Sequence, residues 1–265
     1  MEESLVKVWA VANQKGGVGK TTSTVALGGL LAESGERVLL LDLDPHGSMT
    51  SYFGYDPDTL QHSSFNLFAD TPVTAAEVVP LLLQTAHDNL TLLPSSMALA
   101  TVERKASTEG MGLKVAKALA QVWESYDYVL IDSPPVLGAL MINALAASER
   151  LIIPVQTEFL AIKGLERMIR TVSMVTRSLK KQLEHTVVAT MFDRRTQASV
   201  GALRELRNTY ANCIWPSMIP VDTRFRDASR KGLTPSQYDQ SARGVIAYRS
   251  LLKHLLAQQD QRLRA

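Results

Sequence analysis

The 265-residue sequence predicts an α/β fold, a doubly wound and mostly parallel sheet flanked by helices. Three observations carry that prediction. Short apolar, β-branched runs alternate with longer helical patterns along the chain. Several of those runs are apolar nearly throughout, as strands buried on both faces of a parallel sheet should be. Two of them end in aspartates, at the sheet edge where ligands of open α/β folds collect.

The elements follow in order. "VKVWAVA" is the first strand, over 6–12, and a glycine cluster leads from it into a helix over 21–34. "VLLLD" gives a strand at 38–42. The region 49–84 is the least regular and reads as loop plus short helices over one end of the sheet. "LTLL" is a strand at 90–93, followed by a helix over 112–124 and the strand "YVLID" at 128–132. A helix at 139–147 leads to a strand at 151–155, and a helix at 160–179 to a strand at 186–192. A helix at 199–210, a last strand at 214–219 and a closing helix at 242–258 complete the pattern. Right-handed crossovers join such units.

No linker-like stretch or internal repeat divides the chain, so one domain over residues 1–265 is expected. Hydrophobic residues make up 46% and charged residues 20%, a balance that supports a sizeable core without staples. The single cysteine, Cys213, excludes an internal disulfide and reads as a buried strand residue. The acidic opening "MEESLVKVWAV" lacks the basic and long apolar regions of a leader. The longest apolar stretch, "VLGALMINALAAS", is too short to span a membrane and contains Asn143. The closing helix groups Ile246, Leu251, Leu252, Leu255 and Leu256 on one side, which fits docking on the core. Its polar tail, "AQQDQRLRA", argues against a membrane anchor. A cytoplasmic location follows as the expectation.

"KGGVGKTT" sits between strand and helix, where a phosphate cradle belongs. Gly16, Gly17 and Gly19 let backbone N–H groups around Val18 converge on one anion, and the helix N-terminus at Thr21 and Thr22 adds partial positive charge. Lys20 is placed to sit over the β- and γ-phosphates, and the Thr21 hydroxyl to ligate Mg²⁺. The common loop pattern needs glycine at position 14, where this chain has Gln14. Strand-end carboxylates at Asp42, Asp44 and Asp132 supply the rest. One is expected to hold Mg²⁺ through water and another to orient or deprotonate the attacking water. A lone strand-end aspartate would read as a helix cap; three beside a phosphate loop favour a metal site. Pro134 and Pro135 stop the strand in a rigid turn.

At these residues the chain resembles the ParA/MinD family of P-loop ATPases with a deviant Walker A motif. The resemblance runs through "KGGVGKTT", "LDLDPHGSMT", "YDYVLIDSPP" and, toward the ParA branch, "IPVQTEFLAIKGLERM", "ATMFDRRTQAS", "SMIPVDTRFRDAS" and "SARGVIAYRSLLKHL". It departs from the family at His46, where glutamine is usual, and at Val221 and Asp222, where Arg-Asn usually follows the proline. The resemblance implies an ATPase that uses ATP and Mg²⁺, hydrolyses slowly and is regulated by a partner. In that family two subunits sandwich two nucleotides face to face. By resemblance Lys15 crosses to the partner's nucleotide, Asp44 positions the attacking water, and Asp132 supports the metal, with Thr21 and Asp44. Pro220 and Asp222 would meet the adenine. A cation that arrives only on dimerisation would couple assembly to hydrolysis.

A net charge of +2 is too mild to argue for nucleic acid. The stretch from Arg194 to Lys253 is locally basic, and reads either as a solvated surface or as a face for a polyanion. By resemblance Arg195 and Arg224 carry non-specific DNA binding. The first strand begins by residue 6, so no N-terminal helix-turn-helix is expected. For the cargo, "VWAVANQKGGVGKTT", "DPHGSMTSYFG", "LLPSS" and "FDRRTQAS" most resemble the orphan ParA-like group called ParC. That resemblance implies positioning of polar chemotaxis arrays with a CheW-like, ParP-type partner. A chromosome or plasmid partition ATPase with a ParB-type partner is the alternative, and a metabolic P-loop phosphotransferase a third reading.

Overall fold

The computed structural model describes residues 6–69, 71, 73–104 and 111–263; the acidic opening at 1–5 and the last two residues of the tail lie outside them. Among the described residues seven strands form one sheet: β1 Lys7–Val11, β2 Val38–Asp42, β3 Leu83–Gln84, β4 Leu90–Leu93, β5 Tyr128–Asp132, β6 Arg150–Gln156 and β7 Glu184–Thr190. Their order is β3-β4-β2-β5-β1-β6-β7. Every pairing is parallel except β3 with β4. The α-helices are α1 Lys20–Glu33, α2 Ser48–Tyr52, α3 Ala75–Val78, α4 Ala100–Arg104, α5 Lys114–Leu119, α6 Ala139–Ala147, α7 Phe159–Ser178, α8 Gln197–Thr209, α9 Arg224–Arg230, α10 Pro235–Tyr238 and α11 Arg243–Leu263.

The strands are apolar through most of their length because helices cover both faces. Successive side chains alternate between two cores. Val8 and Ala10 of β1 with Leu39 and Leu41 of β2 join a core that α5, α6, α7 and α8 close. Trp9 and Val11 with Val38 and Leu40 join a second, closed by α1 and α11. This is the doubly wound arrangement the alternating pattern predicts. Its carboxyl edge carries the loops that follow β1, β2, β5 and β6.

The strand expected at 214–219 is absent. An isolated bridge joins Ile214 to Val187 of β7, and a second joins Pro220 to Phe192 just past that strand. Trp215 and Ile219 donate N–H groups to Val187 and Ala189, while Pro216 between them has no N–H to give. Cys213 accordingly lies in a turn, half-buried, rather than buried in a strand. The helix expected over 112–124 is α only across α5, with 3₁₀ turns at Met111–Leu113 and Trp123–Ser125. The short strand β3 and the helices α9 and α10 carry too little periodicity to be read from sequence. In α11, Leu251, Leu252 and Leu255 are buried against the core as expected, whereas Ile246 is exposed. Among the described residues no helix is long and apolar enough to cross a membrane.

Candidate active site

The loop from Ala12 to Gly19 joins β1 to α1 and is pinned from three neighbouring elements. Asn13, fully buried, donates through Nδ2 to the Pro154 carbonyl at 2.8 Å and accepts the Lys15 N–H at 3.1 Å. Thr190, at the end of β7, donates its hydroxyl to the Val18 carbonyl at 2.9 Å. Gln14, the non-glycine at the front of the loop, donates to Thr171 Oγ1 at 3.1 Å. Within this frame Gly17 and Gly19 adopt φ of 73° and 90°, conformations that a side chain disfavours. Gly19 caps α1 without any side-chain hydrogen bond, and no acidic residue stands in the helix's first turn. The helix N-terminus therefore offers its N–H groups and partial positive charge to an anion from outside. A phosphate fits that cradle.

Lys20 is buried, and its ammonium reaches back over the loop to the Lys15 carbonyl at 3.4 Å. Burial pushes its pKa down, opposed by the charges of Asp132 and Asp44. Thr21, next along α1, donates its hydroxyl to Asp132 Oδ2 at 2.6 Å. The other oxygen, Asp132 Oδ1, is buried without a hydrogen-bond partner. Burial first, and then the charge of Asp42, raise the Asp132 pKa well above the usual carboxylate range; the Thr21 bond and Lys20 oppose them. A buried carboxylate with an orphaned oxygen beside a threonine hydroxyl fits a divalent cation. Among the described residues no cluster of three or more His, Cys, Asp or Glu could hold a metal alone. Mg²⁺ sites that borrow phosphate oxygens need only one or two carboxylates.

The three strand-end acids differ in their surroundings. Asp42 and Asp132 lie opposite each other on β2 and β5. Asp42 is fully buried, and its Oδ2 accepts from the Thr50 N–H and hydroxyl at 2.9 and 2.8 Å. Burial raises its pKa to about 6 against those bonds. Asp42 is thereby tied into the fold. Asp44, just beyond β2, turns its Oδ1 to the N–H and Nδ1 of His46 at 3.0 and 2.9 Å.

Lys15 is paired with Glu158 of its own chain, at the start of α7. Both side chains are about one-third exposed, 33% and 39%, so the pair sits at the surface and holds Lys15 weakly.

Pro220, Asp222, Arg195 and Arg224 all line one cavity of about 540 Å³. Met191, one residue before the lining Phe192, packs near Gly19 of the phosphate loop. Both Asp222 oxygens are engaged, with the N–H groups of Arg224 and Gly244 at 3.1 and 3.0 Å. Arg195 pairs with Asp193 at 2.7 Å and Arg224 with Asp239 at 2.9 Å. The Arg195 hydrogen bonds hold the half-buried Asp193 down at about 2.

Asn13, Thr50, Glu158 and Thr190 escaped the sequence reading. Asn13, Glu158 and Thr190 are polar residues at or just past strand ends and Thr50 lies in α2, positions too common to single out without their partners.

A family described as an AAA domain matches residues 6–185. The chain is similar to the sporulation initiation inhibitor protein Soj of Bacillus subtilis (strain 168), 36% identical over 95% of this chain and 98% of that protein. It is similar to the chromosome partitioning protein ParA of Caulobacter vibrioides (strain NA1000 / CB15N), 34% identical over 99% of this chain and 98% of that protein. Among solved structures it resembles the cobyrinic acid a,c-diamide synthase from Mycobacterium smegmatis with bound ATP analog and magnesium. The TM-score is 0.81 at 34% identity, over 97% of this chain and 96% of that one.

Proposed function

The chain belongs to the ParA/MinD family of P-loop ATPases, and from that premise we propose that it is a dimerising switch that positions a cellular cargo. Two copies associate face to face when each holds ATP and Mg²⁺, and separate after slow hydrolysis. The observation that carries this reading is the uncapped phosphate loop with Lys20 above it and the orphaned Asp132 oxygen beside Thr21.

In this reading the N–H groups of residues 16–22 and the Lys20 ammonium hold the phosphates. Thr21 and Asp132, with Asp44, hold the cation, which when bound neutralises phosphate charge. Asp44 orients the attacking water. Lys15 leaves Glu158 and reaches the partner's nucleotide, so that the second copy completes the site. An apolar rim supports a face-to-face dimer. Phe65, Met97, Val136, Leu137, Phe159 and Leu160 are all exposed, at 38–70%, on segments that follow β2, β4, β5 and β6. Exposed apolar residues grouped on one edge mark an interaction surface.

Asp44→Ala tests the switch. The variant should bind ATP and remain a dimer on size exclusion without releasing phosphate. Hydrolysis at the wild-type rate would refute the role of Asp44. Pro220 and Asp222 are proposed to flank the adenine, the latter through the backbone it caps. Arg195 and Arg224 are proposed to meet DNA phosphates without sequence preference, after giving up Asp193 and Asp239.

For the cargo, the quoted sequence blocks favour polar chemotaxis arrays with a CheW-like partner. The names of the relatives favour chromosome or plasmid partition with a ParB-type partner. A fluorescent fusion at the pole supports the first, and foci that follow replicated DNA support the second. The solved relative's name, a diamide synthase, supports a metabolic P-loop reading. Phosphate released to water alone, without a small-molecule product, would exclude it.

A further inference from the structure

Asp44 owes its place to residues outside the phosphate loop. Its N–H donates to Asp42 Oδ1 at 3.1 Å. Its carbonyl accepts the Ser95 hydroxyl at 2.5 Å and the Gly47 N–H at 2.8 Å. The first two of these holders meet at one side chain. Thr50 Oγ1 donates to Asp42 Oδ2 at 2.8 Å and accepts the Ser95 N–H at 2.8 Å. Asp42, Thr50 and Ser95 are all fully buried, with no exposed surface.

We propose that Thr50 is a positioning residue for hydrolysis: its hydroxyl joins Asp42 to Ser95 and so clamps the main chain of Asp44 from both sides. The proposal rests on the reading that Asp44 orients the attacking water. The chemistry of the hydroxyl is specific. It has one proton, spent on Asp42, and lone pairs, one of which takes the Ser95 amide. Valine has nearly the same shape and can do neither. Asp42 comes from the end of β2 and Ser95 from just past the end of β4, so the clamp spans two neighbouring strands. With both partners buried, no water takes the place of a broken hydrogen bond, and the Asp44 main chain must shift to restore it. The Asp44 side chain, by contrast, meets only His46 among its hydrogen-bond partners in the described residues. Its direction is therefore set by the main chain beneath it.

The test compares Thr50→Val, Thr50→Ser, Ser95→Ala and Asp44→Ala with the wild type. It reads steady-state phosphate release, the Kd for a slowly hydrolysed ATP analogue with Mg²⁺, and the thermal midpoint. Thr50→Val should lower kcat about 10- to 100-fold, the scale of a misplacement near 1 Å. Its Kd should stay within about twofold, the signature of an interaction that matters only for the chemical step. Thr50→Ser restores the hydroxyl and should recover kcat, and Ser95→Ala should lower kcat with Kd unchanged. Thr50→Val with a lowered midpoint but wild-type kcat would reduce the threonine to a packing role and overturn the proposal. If Thr50→Val does not fold, Ser95→Ala decides, and an unaltered kcat there overturns it equally. Wild-type hydrolysis by Asp44→Ala would overturn the reading of Asp44 itself. A stalled Asp44→Ala beside a fully active Thr50→Val would overturn the clamp alone.

Discussion

Asp132→Asn keeps the shape of the side chain and removes its charge. In the free protein Asp132 is 1% exposed, with Oδ2 bonded to Thr21 and Oδ1 bonded to nothing. Asparagine leaves that position unpaired as well, with an N–H₂ in place of the oxygen; what it removes is a buried charge, worth about 1–3 kcal/mol. Asp42, in register on the next strand, adds repulsion. The substitution should therefore stabilise the nucleotide-free protein by about 1–3 kcal/mol, or about 2–6 °C in Tm for a chain of this size. The sign with pH follows from the raised pKa. Below the unfolded pKa, about 3.9, both states are protonated and the penalty vanishes. As pH rises from there toward the folded pKa, the native state holds the extra proton and wild-type stability falls. The advantage of the variant should thus grow as pH rises from about 4 toward the folded pKa and shrink as pH falls. Ligand reverses the order. At a nucleotide concentration about 100 times Kd, the wild type gains about 2.7 kcal/mol, and the variant, without its cation ligand, much less. Scanning fluorimetry from pH 5 to 8, with and without Mg²⁺ and ATP, reads all of this. A variant that melts at or below the wild type without nucleotide at pH 8 would refute the idea that this carboxylate is held at a cost for a cation.

Three further outcomes are expected. Gly19→Ala forces a side chain to φ near 90° and should cost about 1–2 kcal/mol of stability while abolishing binding of a fluorescent ATP analogue; unaltered binding would show that the loop tolerates another conformation. Glu158→Gln should alter the dimer Kd in ATP by no more than about fivefold, the value of a surface pair, whereas Lys15→Ala should abolish the dimer or its hydrolysis in analytical ultracentrifugation and phosphate-release assays. A double change of Arg195 and Arg224 to Ala should weaken binding to random duplex and flatten the log–log salt slope by about 0.9 for each phosphate no longer neutralised; unaltered retention would place DNA elsewhere.

The motif "KGGVGKTT" determined the phosphate loop by itself, because glycines and a helix start act locally and need no distant partner. The strand periods likewise determined the doubly wound sheet, since burial on both faces leaves an apolar run that is visible in sequence. Sequence also put Asp42, Asp44 and Asp132 at one edge. Only the tertiary structure divided their environments. Asp42 is spent on Thr50, Asp132 keeps an orphaned oxygen, and Asp44 is aimed by hydrogen bonds from two strands. The Ser95 bond to Asp44 and the Thr21 bond to Asp132 depend on β1, β2, β4 and β5 coming together across tens of residues. The same holds for Lys15, which the motif identifies and whose partner in the free protein, Glu158, stands 143 residues away. The missing strand at 214–219 shows the converse. Its composition favours a strand, but Pro216 has no N–H to pair, and only the register against β7 reveals where that matters. Local backbone chemistry is written in consecutive residues; hydrogen-bond partners and burial are decided by which strands become neighbours.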